Sequence, residues 1–146
     1  MAGNRILGLD FGSKTVGVAI SDPLLYTAQG LEIIRRDRES KIRKTLARIE
    51  EICVEYGVSL IVLGLPLNMD DTEGDRAVKT RKFAEDIERR TGLEVVFWDE
   101  RLTTVEADET MDELGIFGAK RKELVDEIAA MIILQSYLEN NRDGKN

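Results

Sequence analysis

The chain has 146 residues, 42% hydrophobic and 34% charged, which suits one globular domain with a core of its own. It contains no histidine and one cysteine, which excludes Ser-His-Asp and Cys-His catalysis, His-ligated zinc, Cys-based zinc clusters and an intrachain disulfide, and leaves carboxylate, lysine, hydroxyl or metal chemistry. A net charge of −7 speaks against nonspecific nucleic-acid binding, no apolar run approaches a membrane span, and Met1-Ala2-Gly3-Asn4-Arg5 has no signal-peptide pattern, so a cytoplasmic protein is expected.

Residues 5–10 read as a strand. Residues 15–21 read as a second, with Val16, Val18 and Ile20 on one face and Gly17 and Ala19 on the other. The link Phe11-Gly12-Ser13-Lys14 is short, as in a hairpin. The run from Gly8 to Thr15 superficially suggests a P-loop, but Ser13 stands where the second glycine must be, and a strand follows instead of a helix. Two readings of the segment remain. In one, Asp10 is a metal ligand at the strand end, Gly12 and Ser13 form a turn whose amides meet phosphate, and Lys14 adds a charged contact. In the other, Asp10 merely starts the turn.

Residues 28–34 form a third strand, and residues 40–56 a helix in which Ile42, Leu46, Ile49, Cys53 and Tyr56 recur at spacings of three and four. Cys53 on that apolar face reads as core packing. Basic residues cluster at Arg35, Arg36, Arg38, Lys41, Arg43 and Lys44, and again at Lys79, Arg81, Lys82 and at Lys120, Arg121, Lys122. Each cluster alone reads as a solvated face with glutamates nearby.

The continuous apolar run Leu60–Leu65 is expected to be a central strand covered on both faces, stopped by Pro66. The polar loop Asn68–Asp75 is expected to be mobile; Asn68 either reaches a substrate or serves as a turn residue. A second amphipathic helix over residues 76–90 ends at Gly92, and residues 94–98 form the last strand, with Phe97 and Trp98 in the core. Asp99-Glu100-Arg101 follows at the strand's carboxyl end, where α/β sheets place ligands; the alternative is loop charges, with Asp99 helping to cap. Arg101 could orient a carboxylate or contact phosphate.

Thr103 and Glu106 form a capping box for a helix to about Leu114, Gly115 and Gly118 break the chain, and the last helix spans Lys120 to Leu138. In that helix Asp126 shares its face with Ala129, Ala130 and Ile133, and Glu127 with Ala130, Met131 and Leu134. Helical geometry does not choose between the two acids, and either could simply favour the helix's N-terminal half. The order β-β-β-α-β-α-β-α indicates one α/β domain with a mixed sheet over residues 1–139, followed by a polar tail, 140–146.

Asp10, Glu100 and Asp126 each lie in or beside an apolar element. A buried carboxylate is costly unless paired, and three from distant segments, if they converge, make a site for hard divalent cations such as Mg²⁺. Metal-assisted phosphodiester hydrolysis is therefore the expected chemistry.

Four motifs occur in order: Gly8-Leu9-Asp10-Phe11-Gly12-Ser13, Gly64-Leu65-Pro66-Leu67-Asn68-Met69, Asp99-Glu100-Arg101-Leu102-Thr103-Thr104, and Lys120-Arg121-Lys122 through Asp126-Glu127-Ile128-Ala129-Ala130. With Ile133–Leu138, this ordered set resembles the YqgF (RuvX) family, described as Holliday-junction resolvases and as nucleases maturing the 5′ end of pre-16S rRNA. The resemblance implies an RNase H-like fold, a five-stranded mixed sheet flanked by helices. It also implies a carboxylate triad, which falls on Asp10, Glu100 and Asp126 and so favours Asp126 over Glu127. The chain departs from the family at Asp71, often glycine, and Asp75, often proline; both lie away from the triad.

The resemblance sets out the further expectations. Two Mg²⁺ or Mn²⁺ ions would be bridged by Asp10, with Glu100 and Asp126 each completing one site. Gly12, Ser13, Lys14, Asn68, Arg101 and Thr103 would contact substrate. The substrate is precursor rRNA first and branched DNA second, with ribosomal precursor particles as partners. The chain acts as a monomer or a homodimer; a junction cut twice symmetrically needs the two-fold dimer. A noncatalytic nucleic-acid-binding or transcription-associated module is the alternative from another class. A sugar-kinase or actin-like ATPase fragment would lack its second lobe.

Overall fold

The computed structural model describes residues 4–100 and 109–141. Its centre is a five-stranded mixed sheet in the order β3-β2-β1-β4-β5. Strand β1 (Arg5–Phe11), β2 (Thr15–Ser21) and β3 (Ala28–Arg35) form an antiparallel meander. The turn between the first two is closed by the Gly12 amide donating to the Thr15 carbonyl at 2.7 Å. Helix α1 (Arg43–Tyr56) then crosses to β4 (Val58–Leu65), and α2 (Asp75–Thr91) crosses to β5 (Val95–Asp99). Both strands run parallel to β1, as such crossovers require. Helix α3 (Gly118–Asn140) comes last and lies across β1, β2, β3 and β4.

The alternation of side chains along each strand sorts them onto two faces. Leu7, Leu9, Val16, Val18, Ile61 and Leu63 face α1 and α2 and pack with Ile49, Ile52, Phe83 and Ile87. Ile6, Ala19 and Val62 face α3 and pack with Ala130, Ile133, Leu134 and Leu138. Cys53 is buried in the first of these clusters, as its spacing predicts, and burial pushes its thiol up to about 11, which leaves it inert near neutral pH.

The sheet register contains one instructive irregularity. Val18 pairs with Glu32 but Ala19 pairs with Gly30, so Leu31 is an extra residue on β3. The bulge breaks the parity of the strand. Glu32 turns toward α1, where it binds Arg48 at 2.7 Å, while Gly30, two residues away, faces Glu127 of α3.

Some element boundaries differ from the sequence pattern for identifiable reasons. Helix α1 starts at Arg43, three residues later than the apolar period suggests, because Ser40 to Ile42 form a turn in which the Ile42 amide donates to the Ser40 carbonyl (3.1 Å). Strand β4 begins at Val58, which pairs with Arg5. The loop after β4, expected to be mobile, is a small closed turn. Asn68 exchanges backbone hydrogen bonds with Thr72 (2.8 Å) and Asp71 (2.9 Å), and its Nδ2 donates to Thr72 Oγ1 at 2.9 Å. Arg81 fastens the loop to α2 through Glu73 at 2.6 Å. Asp71 takes a φ of 71°, the left-handed region that favours glycine.

Candidate active site

Because β1, β4 and β5 are parallel, their carboxyl ends lie along one edge of the sheet, where ligands of α/β folds collect. Asp10 is the next-to-last residue of β1 and shares the face of Ile6 and Gly8, the face that α3 covers. Glu100 directly follows β5, held there by its amide donating to the Leu65 carbonyl at 3.3 Å. The two carboxyl groups lie within hydrogen-bonding reach of each other. Burial is the main force holding Asp10 well above the usual carboxylate range; the Glu100 and Asp126 charges push the same way, and the Arg76 guanidinium pulls back. Glu100 is raised too, again chiefly by burial, against the hydrogen bond from Asp10 and the Arg76 charge.

The third acid reaches this edge from the opposite layer. Helix α3 is registered on the sheet by polar contacts at its far end. Gln135 Oε1 accepts the Ala28 amide at 2.9 Å, and the Trp98 indole donates to Ser136 Oγ at 3.1 Å, with Tyr137 edge-on to the Trp98 ring. At the near end the helix backbone sits directly on β2: a Cβ on Gly17 would collide with the Asp126 carbonyl. Gly17 pairs with Asp10 across the strands, so the same glycine brings Asp126 over Asp10. Thr15 Oγ1 donates to Asp126 Oδ2 and fixes its rotamer. Glu127 instead lies over Gly30, farther along the same face toward the β3 edge. Gly64 plays a matching part for Glu100, since a Cβ there would collide with the Glu100 carboxylate.

The structure thus brings Asp10 and Glu100 into contact and Asp126 into electrostatic range. Among the described residues no three acids close around one point as a ready-made cage. The donor set is nonetheless all oxygen and half-buried, and burial penalises its bare negative charges, which a cation would offset. That fits Mg²⁺ or Mn²⁺, which are bound through one or two carboxylates, with water and substrate phosphate completing the shell.

Gly12, Ser13 and Lys14 form the turn next to Asp10, with Ser13 and Lys14 exposed. The Gly12 amide is taken by Thr15 and its carbonyl accepts Arg36 Nη2 at 2.9 Å. Asn68 lies in the loop following β4 at the same edge, holding that loop's turn. Arg101 and Thr103 lie outside the described residues.

Two residues went unread in the sequence. Thr15 carried no signal. Arg76 did: it is a cation in the first turn of α2, where the helix dipole disfavours positive charge, so something else must hold it there. A third, Arg36, expected on a solvated basic face, is buried instead: it carries the parity of Ile34, so its side chain turns inward with that residue rather than outward with Arg35.

Comparison with known proteins agrees with this fold. The family model described as "RuvX: Holliday junction resolvase" matches residues 4–140. A protein of Agathobacter rectalis named "Putative pre-16S rRNA nuclease" is 67% identical over 135 residues, 92% of this chain and 94% of its own. One of Listeria innocua with the same name is 54% identical, over 92% of this chain and 97% of its own. Among solved structures, Thermus thermophilus RuvC in complex with a Holliday junction substrate superposes with a TM-score of 0.63 at 16% identity, over 97% of both chains. The fowlpox virus Holliday junction resolvase gives 0.55 at 18% identity, over 94% of this chain and 99% of its own. At such identities these structures speak to the fold, which is RNase H-like. No helix among the described residues is long and apolar enough to cross a membrane. The chain belongs to the RuvX family, nucleases built on an RNase H-like fold.

Proposed function

We propose that the chain hydrolyses phosphodiester bonds of precursor rRNA, at the 5′ end of pre-16S rRNA, with Asp10, Glu100 and Asp126 holding divalent cations. The observation that carries this reading is the Asp10–Glu100 pair, two half-buried acids in contact at the carboxyl edge of the sheet. The names of the relatives supply the substrate. The setting that follows is the cytoplasm, on ribosomal precursor particles, with no part for a membrane.

Asp10 and Glu100 would take the first ion and Asp126 would serve a second. When bound, Mg²⁺ or Mn²⁺ lowers the pKa of a water and offsets the charge gathering on the phosphate oxygens. The chain's own groups prepare for this. Asp10 and Glu100 would hold the cation as carboxylates, and its charge would offset the repulsion between them. Thr15, by donating to Asp126, holds that side chain aimed at the same edge. Arg76 adds positive charge beside the pair, favourable to an incoming phosphate. No histidine is available as a general base, and none is needed when the attacking water is activated in this way.

A four-way DNA junction is the second reading, favoured by the description of the matching family. It requires a two-fold dimer. A noncatalytic module would have no use for two acids buried against each other at a cost in stability.

The test is cleavage of a labelled pre-16S rRNA 5′ fragment and a four-way junction side by side, by wild type and Asp10→Asn, in Mg²⁺, Mn²⁺ or EDTA. Metal-dependent cutting of the RNA, lost in the variant, is expected. Undiminished cutting by a clean Asp10→Asn preparation would overturn the assignment. Cutting of the junction alone, by a dimer, would move the substrate to DNA.

A further inference from the structure

On the other side of the β1–β2 turn from the carboxylates, two arginines converge on one aromatic ring. Phe11, the last residue of β1, is stacked on Phe83 with ring centroids 4.0 Å apart. The guanidinium carbons of Arg76 and Arg36 lie 4.8 Å and 5.0 Å from the Phe11 centroid. The Arg36 amide donates to the Lys14 carbonyl at 2.9 Å, which places it beside the turn that follows Asp10. Arg36 is only 8% exposed, although its neighbours Arg35 and Arg38 are open to solvent.

These two cations are short of partners. Arg36 Nη2 donates to the Gly12 carbonyl (2.9 Å) and Nε to the Glu39 carbonyl (3.3 Å), but Nη1 has no hydrogen-bond partner among the described residues. Arg76 reaches the Glu39 carboxylate with Nη1 at 3.5 Å, while its Nε and Nη2 have no partner among them. Nε and Nη2 form the edge of a guanidinium that meets two oxygens of a phosphate at once. Glu39 also serves Lys79, so one carboxylate answers to two side chains, and Arg36 adds a third positive charge beside it. Buried charged donors left unpaired cost more than the bonds they forgo, so a fold that keeps three such nitrogens together has a use for an anion there.

Arg36 also lines a cleft of about 660 Å³ between the end of β3 and the start of α1. Arg35, Lys41, Arg43 and Lys44 line it too, and none of these four forms an ion pair among the described residues. Asp37 is the one acid in its wall. In a chain of net charge −7, such a concentration of cations is a local feature of this surface rather than a consequence of composition.

We propose that Arg36 and Arg76, together with this cleft, hold the phosphodiester backbone of the substrate strand away from the point of cutting. The inference rests on the nuclease reading above and adds the path of the strand. From the carboxylate edge it passes Arg76, whose open edge takes one phosphate in bidentate fashion. Arg36 contributes its free Nη1 to the same or the next phosphate, and the strand continues along Arg35, Lys41, Arg43 and Lys44. The three unpaired nitrogens are buried, so the strand docks with a rotation of the two side chains toward it. A single small anion would not need the four cations further along the cleft; a repeating backbone charge would.

The test is equilibrium binding of the labelled pre-16S rRNA 5′ fragment between about 50 and 200 mM salt, on the full chain carrying Asp10→Asn so that nothing is cut. Arg36→Gln and Arg76→Gln should each weaken binding about tenfold, the usual effect of removing a charge-assisted hydrogen bond. Each should also lower the slope of log affinity against log salt by about 0.7 for every phosphate of a single strand that is no longer neutralised. Because Arg36 supports the Gly12 turn, a surface variant, Lys41→Gln/Arg43→Gln/Lys44→Gln, provides a form whose fold is not at risk; its slope should fall by about 2. Wild-type affinity and slope in the folded triple variant would overturn the proposal, as would a loss in Arg36→Gln and Arg76→Gln that is the same at every salt concentration. If wild type cuts the RNA yet these variants bind normally, the cleft alone is wrong. If wild type neither binds nor cuts it, the precursor-rRNA reading falls and the cleft with it.

Discussion

On the face covered by α1 and α2 the sheet presents Leu7, Leu9, Val16, Val18, Ile61 and Leu63, all fully buried, whereas under α3 it presents Gly8, Gly17, Ala19, Gly30 and Gly64. The first face gains apolar burial, at about 25 cal/mol per Å². The second gives that burial up at several positions, and in exchange brings the helix backbone down until Asp126 stands over the strand that carries Asp10. Stability and chemistry are thus assigned to opposite sides of one sheet, and substitutions on the two sides should have different consequences.

The largest effect is expected on the α3 face without any loss of fold. Asp10→Asn should lower cleavage by about 10³-fold or more, the loss of several kcal/mol of metal-assisted transition-state stabilisation. Measured as single-turnover cleavage, that loss should come with a protein that melts no lower than wild type. Next comes the opposite case. Ile52→Ala on the α1 face removes a fully buried side chain and should cost about 2–5 kcal/mol in denaturant unfolding, while the folded fraction still cuts.

Gly64→Ala lies between the two. Its added methyl meets the Glu100 carboxylate and Ile133, so it should cost about 1–3 kcal/mol and depress kcat as well, because Glu100 must move. If Gly64→Ala lost stability alone, the division between the faces would blur. The smallest effect is expected from Thr15→Val, which keeps the shape and removes the hydrogen bond to Asp126. A loss of about 1.5 kcal/mol of stability, for a part-buried hydrogen bond to a carboxylate, should accompany a weaker response of cleavage to Mg²⁺.

The same contrast explains what was legible in the sequence. The α1/α2 face was, because large aliphatic residues alternate and recur at helical spacing. Val16, Val18 and Ile20 were placed opposite Gly17 and Ala19, and Ile49 and Cys53 were placed in the core, all as found. The parallel strand Leu60–Leu65 was equally plain from its unbroken apolar run, two residues short at its start. The α3 face was harder. Its glycines carry no hydrophobic signal, so periodicity could not say that Gly17 is where α3 touches the sheet. Without that approach Asp126 and Glu127 were equivalent, and only the family resemblance preferred one. The bulge at Leu31 depends on strand pairing, and no local propensity encodes it; Arg36 shares the parity of Ile34, but the basic run around it masks that signal.

The pH dependence follows from the raised pair. Asp10 and Glu100 both titrate above their ordinary values in the metal-free fold, so folding favours their protonated forms. The stability they contribute is whole below the ordinary carboxylate range and is lost as pH rises through the raised values. At neutral pH without metal the pair is therefore a liability, and a divalent cation is what removes it. Asp10→Asn removes it permanently.

The most direct test of the central claim, that Asp10 and Glu100 form a cation site, is thermal unfolding of wild type and Asp10→Asn at neutral pH in EDTA and in Mg²⁺. Wild type should melt below the variant in EDTA and rise on adding Mg²⁺, while the variant should start higher and respond little. A variant that gains as much from Mg²⁺ as wild type does would contradict the account.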